Sequence, residues 1–248
     1  MAPQPITAIL FDKDGTLLDF HATWAPINVQ AAAFAAGDDA HLQQRLLAVG
    51  GLDPGTGRYR AGSLLAAGNA AEIAAAWVAA GSRHDQLALT QALDRIFKDG
   101  VADAVPVIPL GPFFRRLKAR GFKLGIASSD SAAAIHATAV HFDFADALDF
   151  HAGYDSGYGH KPGPGMVQAF AEAVGCATAA IAVVGDNLHD MQMGASAGCG
   201  WKVGVLTGTS DRATLMAGAD LVLADIAEFE VGYIENVGVL RKHYLQGR

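Results

Sequence analysis

Five short apolar runs, separated by helix-length stretches, constrain the fold of this chain more than any other feature. The first run, Ile6 to Phe11, is rich in β-branched residues and is bounded by polar turn residues, which is typical of a strand buried on both faces. The others are Phe122 to Ala127, Ala180 to Val184, Lys202 to Leu206 and Asp220 to Leu223. Strands that alternate with helices predict an α/β fold built on a parallel sheet.

The stretches between the later runs predict crossover helices of ordinary length. A glycine follows two of them, as expected at a helix C-terminus. The predicted helices cover Gly111 to Arg120, about Ser131 to His141, and about Pro164 to Val174.

Between the first strand and Val105 the chain is rich in Ala, Leu and Gln and has few strand-like runs. Four helices are predicted there, at Ala25 to Ala36, Ala40 to Val49, Ala70 to Ala80 and Gln86 to Phe97, around a Gly- and Pro-containing loop, GGLDPGTGRYRAG. This pattern indicates an inserted α-helical domain. We place it at residues 20–101, with residues 1–19 and 102–248 forming the sheet domain.

Composition narrows the possible environments and partners. A length of 248 residues with 51% apolar residues is enough for a domain with an insert. A formal net charge of −7 without a basic run argues against nucleic acid as a partner. The longest apolar runs are far shorter than the roughly 18 residues of a membrane-spanning helix, and no basic segment precedes an apolar one at the start. With two cysteines in apolar or small-residue surroundings, a reduced cytoplasmic location fits best, and the oligomeric state stays open.

The first strand runs directly into Asp12-Lys13-Asp14-Gly15-Thr16. Two carboxylates two residues apart on extended backbone point to one side. At the carboxyl edge of a parallel sheet, where such folds bind ligands, they can share a hard cation and leave one oxygen free to attack. A simple turn is the alternative interpretation, because Asp and Gly are ordinary turn formers.

Polar residues follow two further strands. Ser128, Ser129 and Asp130 come after the second run, where a hydroxyl and backbone N–H groups can cradle phosphate oxygens; helix capping by one of the three is the alternative. Asp186 follows the third run, with Asp190 one helical turn later, and both could serve a magnesium site. The alternative is an acidic helix N-terminus without a function.

Lys161 lies in the Gly- and Pro-rich segment GYGHKPGPG. A lysine held there could neutralise charge on a phosphoryl group and on an attacking carboxylate, although a lone lysine before proline is usually solvated surface. The combination decides the interpretation. All four groups are expected at one edge of the sheet: a nucleophile, a phosphate cradle, a cation and metal carboxylates. Unrelated turns and helix caps are a poor explanation for this set.

In this order the motifs resemble those of the haloacid dehalogenase (HAD) superfamily of phosphohydrolases. The matching residues are Asp12 and Asp14 in DKDGT, Ser128, Lys161 in KPGP, and Asp186 and Asp190 in GDNLHD. The resemblance spans about Ile6 to Leu223. It implies a Rossmann-like, doubly wound parallel sheet with an α-helical cap inserted after the first motif, in the subgroup that includes phosphoglycolate phosphatases.

The resemblance also implies a magnesium-dependent phosphatase that cleaves a small phosphorylated metabolite, either phosphoglycolate-like or a sugar phosphate. Asp12 would attack phosphorus to give an aspartyl-phosphate, and Asp14 would protonate the leaving alcohol and then deprotonate water. Cap closure would exclude bulk water. Ser128 and Lys161 would hold the transferring group, and the further phosphate-binding positions are Gly15, Thr16 and Ser129. The implied metal residues are Asp12, Asp14 (through its backbone carbonyl), Asp186 and Asp190.

Several related activities are separated by single residues. Asp14 argues against dehalogenation, because a halide leaving group needs no proton. Phosphonate-cleaving relatives use a cap lysine, and none lies between Leu17 and Phe97. A phosphomutase stays open, although β-phosphoglucomutase types usually carry a bulkier residue in place of Thr16. A catalytically idle protein that binds phosphometabolites is the remaining alternative.

Two departures from the family pattern bear on specificity. Ser128 replaces a more frequent threonine but keeps the hydroxyl, and Lys13 replaces an apolar residue at a position that we expect not to touch the chemistry. In the cap, the loop with Arg58, Tyr59 and Arg60 could reach an anionic substrate, although a solvated loop is the favoured interpretation. His21 and Trp24 could line the cleft mouth, and His160 could touch phosphate or only flank Lys161.

Overall fold

A parallel six-stranded sheet forms the centre of the molecule. The structure is a computed structural model that describes residues 5–229. The strand order is β3-β2-β1-β4-β5-β6, so the α/β, doubly wound prediction is confirmed. The strands are β1 (Ala8–Phe11), β2 (Lys123–Ala127), β3 (Phe150–Ala152), β4 (Ile181–Gly185), β5 (Trp201–Val205) and β6 (Leu221–Leu223).

Strand β1 is buried on both faces because its side chains alternate between two hydrophobic layers. Ile9 and Phe11 pack in one cluster with Phe113 and Phe114, whereas Leu10 lies in the opposite cluster with Phe170. Helices therefore cover both faces. Those outside the insert are α6 (Leu110–Ala119), α7 (Ala132–His141), α8 (Gly165–Val174), α9 (Leu188–Ala197), α10 (Arg212–Met216) and α11 (Ile226–Glu228).

The insert is helical and has a hydrophobic cluster of its own. That cluster is built from buried residues between Phe20 and Phe97, with Trp77 fully buried in it. This separate core supports the proposal that residues 20–101 form an inserted domain. The two ends of the proposed sheet domain, residues 1–4 and 230–248, lie outside the described residues. The helices are α1 (Phe20–Ala36), α2 (Ala40–Gly50), α3 (Leu64–Ala67), α4 (Ala70–Ala79) and α5 (Gln86–Asp99).

One expectation about the insert is wrong, and another holds only in part. Helix α1 begins at Phe20 rather than at Ala25, because the Asp19 carboxylate caps it by accepting a hydrogen bond from Ala22 N at 2.8 Å. Pro26 thus lies inside the helix and not at its start. The loop after α2 is not simply solvated, since the Tyr59 side chain is buried in the insert's cluster while Arg58 and Arg60 are exposed.

The edge strand β3 was not predicted from the sequence. It has three residues, and its apolar run is too short to show a periodicity. Within residues 5–229, no helix has both the length and the apolar character needed to cross a bilayer.

Candidate active site

The strand order reverses at β1, which pairs with β2 on one side and β4 on the other. Such a switch point opens a crevice at the carboxyl ends of the strands. Asp12 follows β1, Ser128 follows β2 and Asp186 follows β4, so all three lie at this crevice. Asp12 is held at the strand end because its backbone N–H donates to the Val184 carbonyl at 2.8 Å.

Lys161 joins this group from the loop before α8. Its Nζ lies 2.6 Å from Asp12 Oδ1 and 2.6 Å from Asp190 Oδ1. The lysine side chain is only 5% exposed, which rules out the solvated-surface interpretation. Burial opposes its charge, but the two carboxylates prevail and raise the pKa of Lys161 above its ordinary value. It therefore carries a fixed positive charge beside Asp12.

Three buried carboxylates, Asp12, Asp186 and Asp190, each place an oxygen within 4.8 Å of the others. Burial raises the pKa of Asp12 to about 7, against the opposing effect of Lys161. Burial and the neighbouring carboxylates also raise the pKa of Asp186 well above its usual range. Asp12 Oδ2 is buried without a hydrogen-bond partner. Three carboxylates share one lysine, and one of their oxygens has no hydrogen-bond partner. This crowded set of hard oxygen ligands fits a divalent metal ion such as Mg²⁺.

Asp190 caps helix α9 and contacts Lys161, whereas its role in a magnesium site stays a prediction. Its Oδ2 accepts from Asn187 N at 3.1 Å as part of a capping box at the start of α9. Its Oδ1 receives the Lys161 hydrogen bond. The helix cap therefore fixes the carboxylate in a position where it also orients the lysine.

The Asp14 side chain lies in the same cleft but outside the three-carboxylate cluster. Its Oδ1 accepts hydrogen bonds from Lys13 Nζ at 2.6 Å and from Trp24 Nε1 at 2.8 Å. A metal ligand at its backbone carbonyl stays a prediction.

Lys13, which we expected not to touch the chemistry, contacts the predicted site residue Asp14. Its Nζ also lies 3.0 Å from Asp130 Oδ2, and its side chain is 1% exposed. The lysine is buried because two carboxylates surround it and the Trp24 ring lies 5.4 Å from Nζ. Lys13 thus ties Asp14, the expected acid–base residue, to the end of β2.

The predicted phosphate-binding positions fall into two groups. Ser128 and Ser129 line the cleft, whereas Gly15 and Thr16 do not. Gly15 has φ +85°, and a Cβ there would lie 2.6 Å from Asp186 Cγ, so its role is close approach of the backbone. Capping of α7 falls to Ser131, which accepts from Ala134 N, and not to any residue from Ser128 to Asp130.

The family model described as haloacid dehalogenase-like hydrolase matches residues 6–198, which is more than half of the chain. The chain belongs to this family. No curated protein sequence matches it.

Solved structures with the fold of this HAD-like hydrolase match it over most of their length. A predicted phosphoglycolate phosphatase from Haemophilus somnus 129pt has a TM-score of 0.70 at 17% identity, covering 91% of this chain and 97% of that chain. A hydrolase from Pseudomonas syringae has a TM-score of 0.68 at 20% identity, covering 93% and 99%. A variant of CbbY from Rhodobacter sphaeroides, in complex with xylulose-(1,5)bisphosphate, has a TM-score of 0.65 at 20% identity, covering 90% and 96%. At these identities the likeness shows the fold.

Sequence reasoning missed the loop after β5 in this HAD-like hydrolase. Thr209 N donates to Asp186 Oδ2 at 3.1 Å, and Thr207 Oγ1 donates to the Gly15 carbonyl at 2.6 Å. A Cβ on Gly208 would lie 1.7 Å from Asp186 Oδ2, so glycine is required there. The rule that polar residues at strand ends meet at one edge would have found this segment, because β5 was predicted.

The cap residues considered earlier have mixed outcomes. Trp24 lines the cleft, whereas Arg58, Arg60 and His21 do not. Arg58 Nη2 instead lies 3.0 Å from His21 Nε2 on the exposed side of the cap. His160 is outside the cleft lining, and its ring stacks on Tyr154 with centroids 6.4 Å apart.

Proposed function

We propose that this chain is a magnesium-dependent phosphatase that hydrolyses a small phosphate monoester through a phosphorylated Asp12. The observation that carries the proposal is the state of the Asp12 carboxylate. One oxygen is held by Lys161 and the other is buried without a partner at the sheet's switch point. A carboxylate fixed by one oxygen and free at the other is suited to attack an electrophilic phosphorus.

The remaining residues support the two half-reactions. In the first, the Asp12 oxygen bonds to phosphorus as the ester P–O bond breaks, and Asp14 donates its proton to the leaving alkoxide. In the second, Asp14 takes a proton from water, whose oxygen bonds to phosphorus and releases Asp12 and inorganic phosphate. Lys161 and Ser128 both line the cleft, and their side chains would contact the phosphoryl oxygens.

Magnesium is proposed to be held by the carboxylates of Asp12, Asp186 and Asp190 and by the Asp14 backbone carbonyl. When bound, it would supply the positive charge that offsets repulsion between the anionic nucleophile and the phosphate. The buried cluster supports this assignment, because Lys161 is the one Lys or Arg lining this cleft among residues 5–229. The cytoplasmic location stays a prediction.

The test is phosphate release by the wild type and Asp12→Asn, with magnesium or with a chelator. The substrates are phosphoglycolate, sugar phosphates, nucleoside monophosphates and aromatic phosphate esters. We expect metal-dependent turnover by the wild type and a loss in kcat of about 10³-fold or more in the variant. Asp38→Asn, at an exposed carboxylate, should keep full activity and serves as the matched control.

Other outcomes point to the alternatives. Transfer of phosphate to a second hydroxyl without net release would identify a phosphomutase, and saturable binding without turnover would identify a binding protein. Equal activity of the wild type and Asp12→Asn would remove Asp12 as the nucleophile.

A further inference from the structure

The cleft above Asp12 has two unlike walls. Its core wall carries the carboxylates, Lys161 and the serine hydroxyls described above. Its cap wall is almost entirely apolar, with lining residues that include Phe20, Leu65, Ala67, Ile73 and Phe97. The leaving group of a substrate whose phosphate sits at Asp12 must lie against this cap wall.

Among residues 5–229, no Lys or Arg besides Lys161 lines the cleft, and Lys13, behind Trp24, is already paired with two carboxylates. Lys161 already contacts Asp12 and Asp190 at the phosphoryl end of the cleft. Arg58 contacts His21, Arg60 and Arg95 are exposed, and none of these three arginines lines the cleft. A carboxylate or second phosphate on the leaving group would therefore lose its hydration against apolar side chains without a counter-charge.

One polar side chain interrupts the cap wall. Asn28 lies on α1, four residues after Trp24 and eight after Phe20, so the three share one helix face. The Asn28 side chain is 1% exposed, and neither its amide nitrogen nor its amide oxygen has a hydrogen-bond partner. Burial raises the pKa of Tyr59 and the neighbouring Asn28 amide opposes that rise, so the tyrosine hydroxyl lies close to this amide.

Buried amides are nearly always hydrogen-bonded, so this unpaired amide in a cleft wall points to a ligand group. An amide offers both a donor and an acceptor. It matches a neutral hydroxyl or carbonyl, and it supplies no charge to balance an anion.

We propose that the cap wall selects phosphate monoesters whose leaving group is uncharged and largely apolar, with one hydroxyl or carbonyl that pairs with Asn28. This inference rests on the proposed phosphatase function and narrows it. Phosphoglycolate and sugar bisphosphates are then poor substrates, because each places a second anion against the apolar wall.

The first test compares pairs of esters that differ by one charge. Phosphoglycolate is compared with its carboxamide, and 4-carboxyphenyl phosphate with phenyl phosphate, by measuring kcat/KM with magnesium. We expect the uncharged member to be favoured at least about tenfold in each pair. Equal or higher kcat/KM for the charged members would overturn this inference and leave the phosphatase function intact. Hydrolysis of none of the esters would instead overturn the proposed function.

The second test changes the wall. Ala67→Lys adds a cation beside the leaving group and should reduce the preference for the uncharged esters to near one. Leu87→Lys, at a residue 66% exposed on α5, should leave the preference unchanged. An unaltered ratio in Ala67→Lys would place the leaving group elsewhere.

The role of Asn28 is tested with 3-hydroxypropyl phosphate and butyl phosphate. The wild type should prefer the hydroxylated ester, and Asn28→Leu should reverse the preference, since it removes the amide and adds apolar surface. A general loss of activity at an unchanged ratio would mean that Asn28 only supports the fold and would overturn its assignment.

Discussion

The buried Lys13 shows how a single side chain can connect two parts of the site. It contacts Asp14 in the first motif and Asp130 at the end of β2, and burial raises the pKa of Asp130 while Lys13 opposes that rise. Removing one partner of a buried ion pair leaves an uncompensated charge, which is costly. Lys13 is therefore expected to matter for stability as well as for the orientation of Asp14.

For Lys13→Met we expect the free energy of unfolding to fall by about 3 kcal/mol, measured by urea denaturation at pH 7. Lys13→Met/Asp130→Asn should recover part of this loss, because the second change removes the unpaired charge. If the double variant were no more stable than the single one, the Lys13–Asp130 pair would not be the cause.

At Asp186 the metal-free protein holds a carboxylate whose pKa is raised by burial. Because the folded-state pKa is raised, the folded protein binds the Asp186 proton more tightly than the unfolded chain does. The stability that this protonated carboxyl contributes is lost as the pH rises from about 4, the unfolded pKa, through the folded pKa. Asp186→Asn should therefore stabilise the magnesium-free protein at pH 8 by about 1 kcal/mol or more. Its amide oxygen can still accept from Thr209 N.

The same variant should lose the rise in Tm that magnesium gives the wild type, measured by calorimetry with and without the metal. Asp38→Asn, at an exposed position, should show neither effect. A full magnesium-induced rise in the Asp186→Asn protein would remove Asp186 from the metal site.

Among the elements, helix α4 presents Ala70 and Ile73 to the cleft, and its position depends on its N-terminus. Asn69 Oδ1 accepts from Glu72 N at 3.0 Å, and Glu72 Oε2 accepts from Asn69 N at 2.9 Å. This reciprocal capping box satisfies two otherwise unpaired donors.

Asn69→Ala should lower the free energy of unfolding by about 1 kcal/mol, because it removes the cap of a buried helix end. Ser63→Ala is the matched control, since Ser63 occupies the N-cap of α3 without a side-chain hydrogen bond. Urea denaturation should show little change for the control. An equal loss in both variants would argue against the capping box as the cause.

For the molecule as a whole, polar and apolar contacts join the cap to the sheet domain beside the cleft. Tyr154, in the loop after β3, packs against the cap cluster, and its hydroxyl donates to Asp94 Oδ2 on α5 at 2.9 Å. Trp24 makes another polar link, through Asp14. Both links would break if the cap swung away.

Tyr154→Phe keeps the ring and removes one link, so we expect a stability loss of about 1 kcal/mol and faster amide exchange in α5 than in α8. Tyr158→Phe is the control, because that side chain is 46% exposed. Hydrogen exchange followed by mass spectrometry measures both variants. Equal acceleration in α5 and α8 would indicate general destabilisation and not release of the cap.

Much of the fold and of the candidate site was predictable from local patterns. The strands β1, β2, β4, β5 and β6 each carry an apolar run, and parallel strands bring their carboxyl ends to one edge. Asp12, Ser128 and Asp186 were therefore predictable neighbours. Helix α1 was predicted to begin at Ala25, whereas the Asp19 cap determines its start at Phe20.

The sequence by itself determined the sheet, the helical insert and the residue types at the catalytic edge, because strand periodicity and motif order are properties of neighbouring residues. Only the tertiary structure decided that Lys13 pairs with Asp130, that Arg58 faces His21, and that Asn28 lies unpaired in an apolar wall. Each of these depends on which faces of distant elements meet, and packing rather than local pattern controls that.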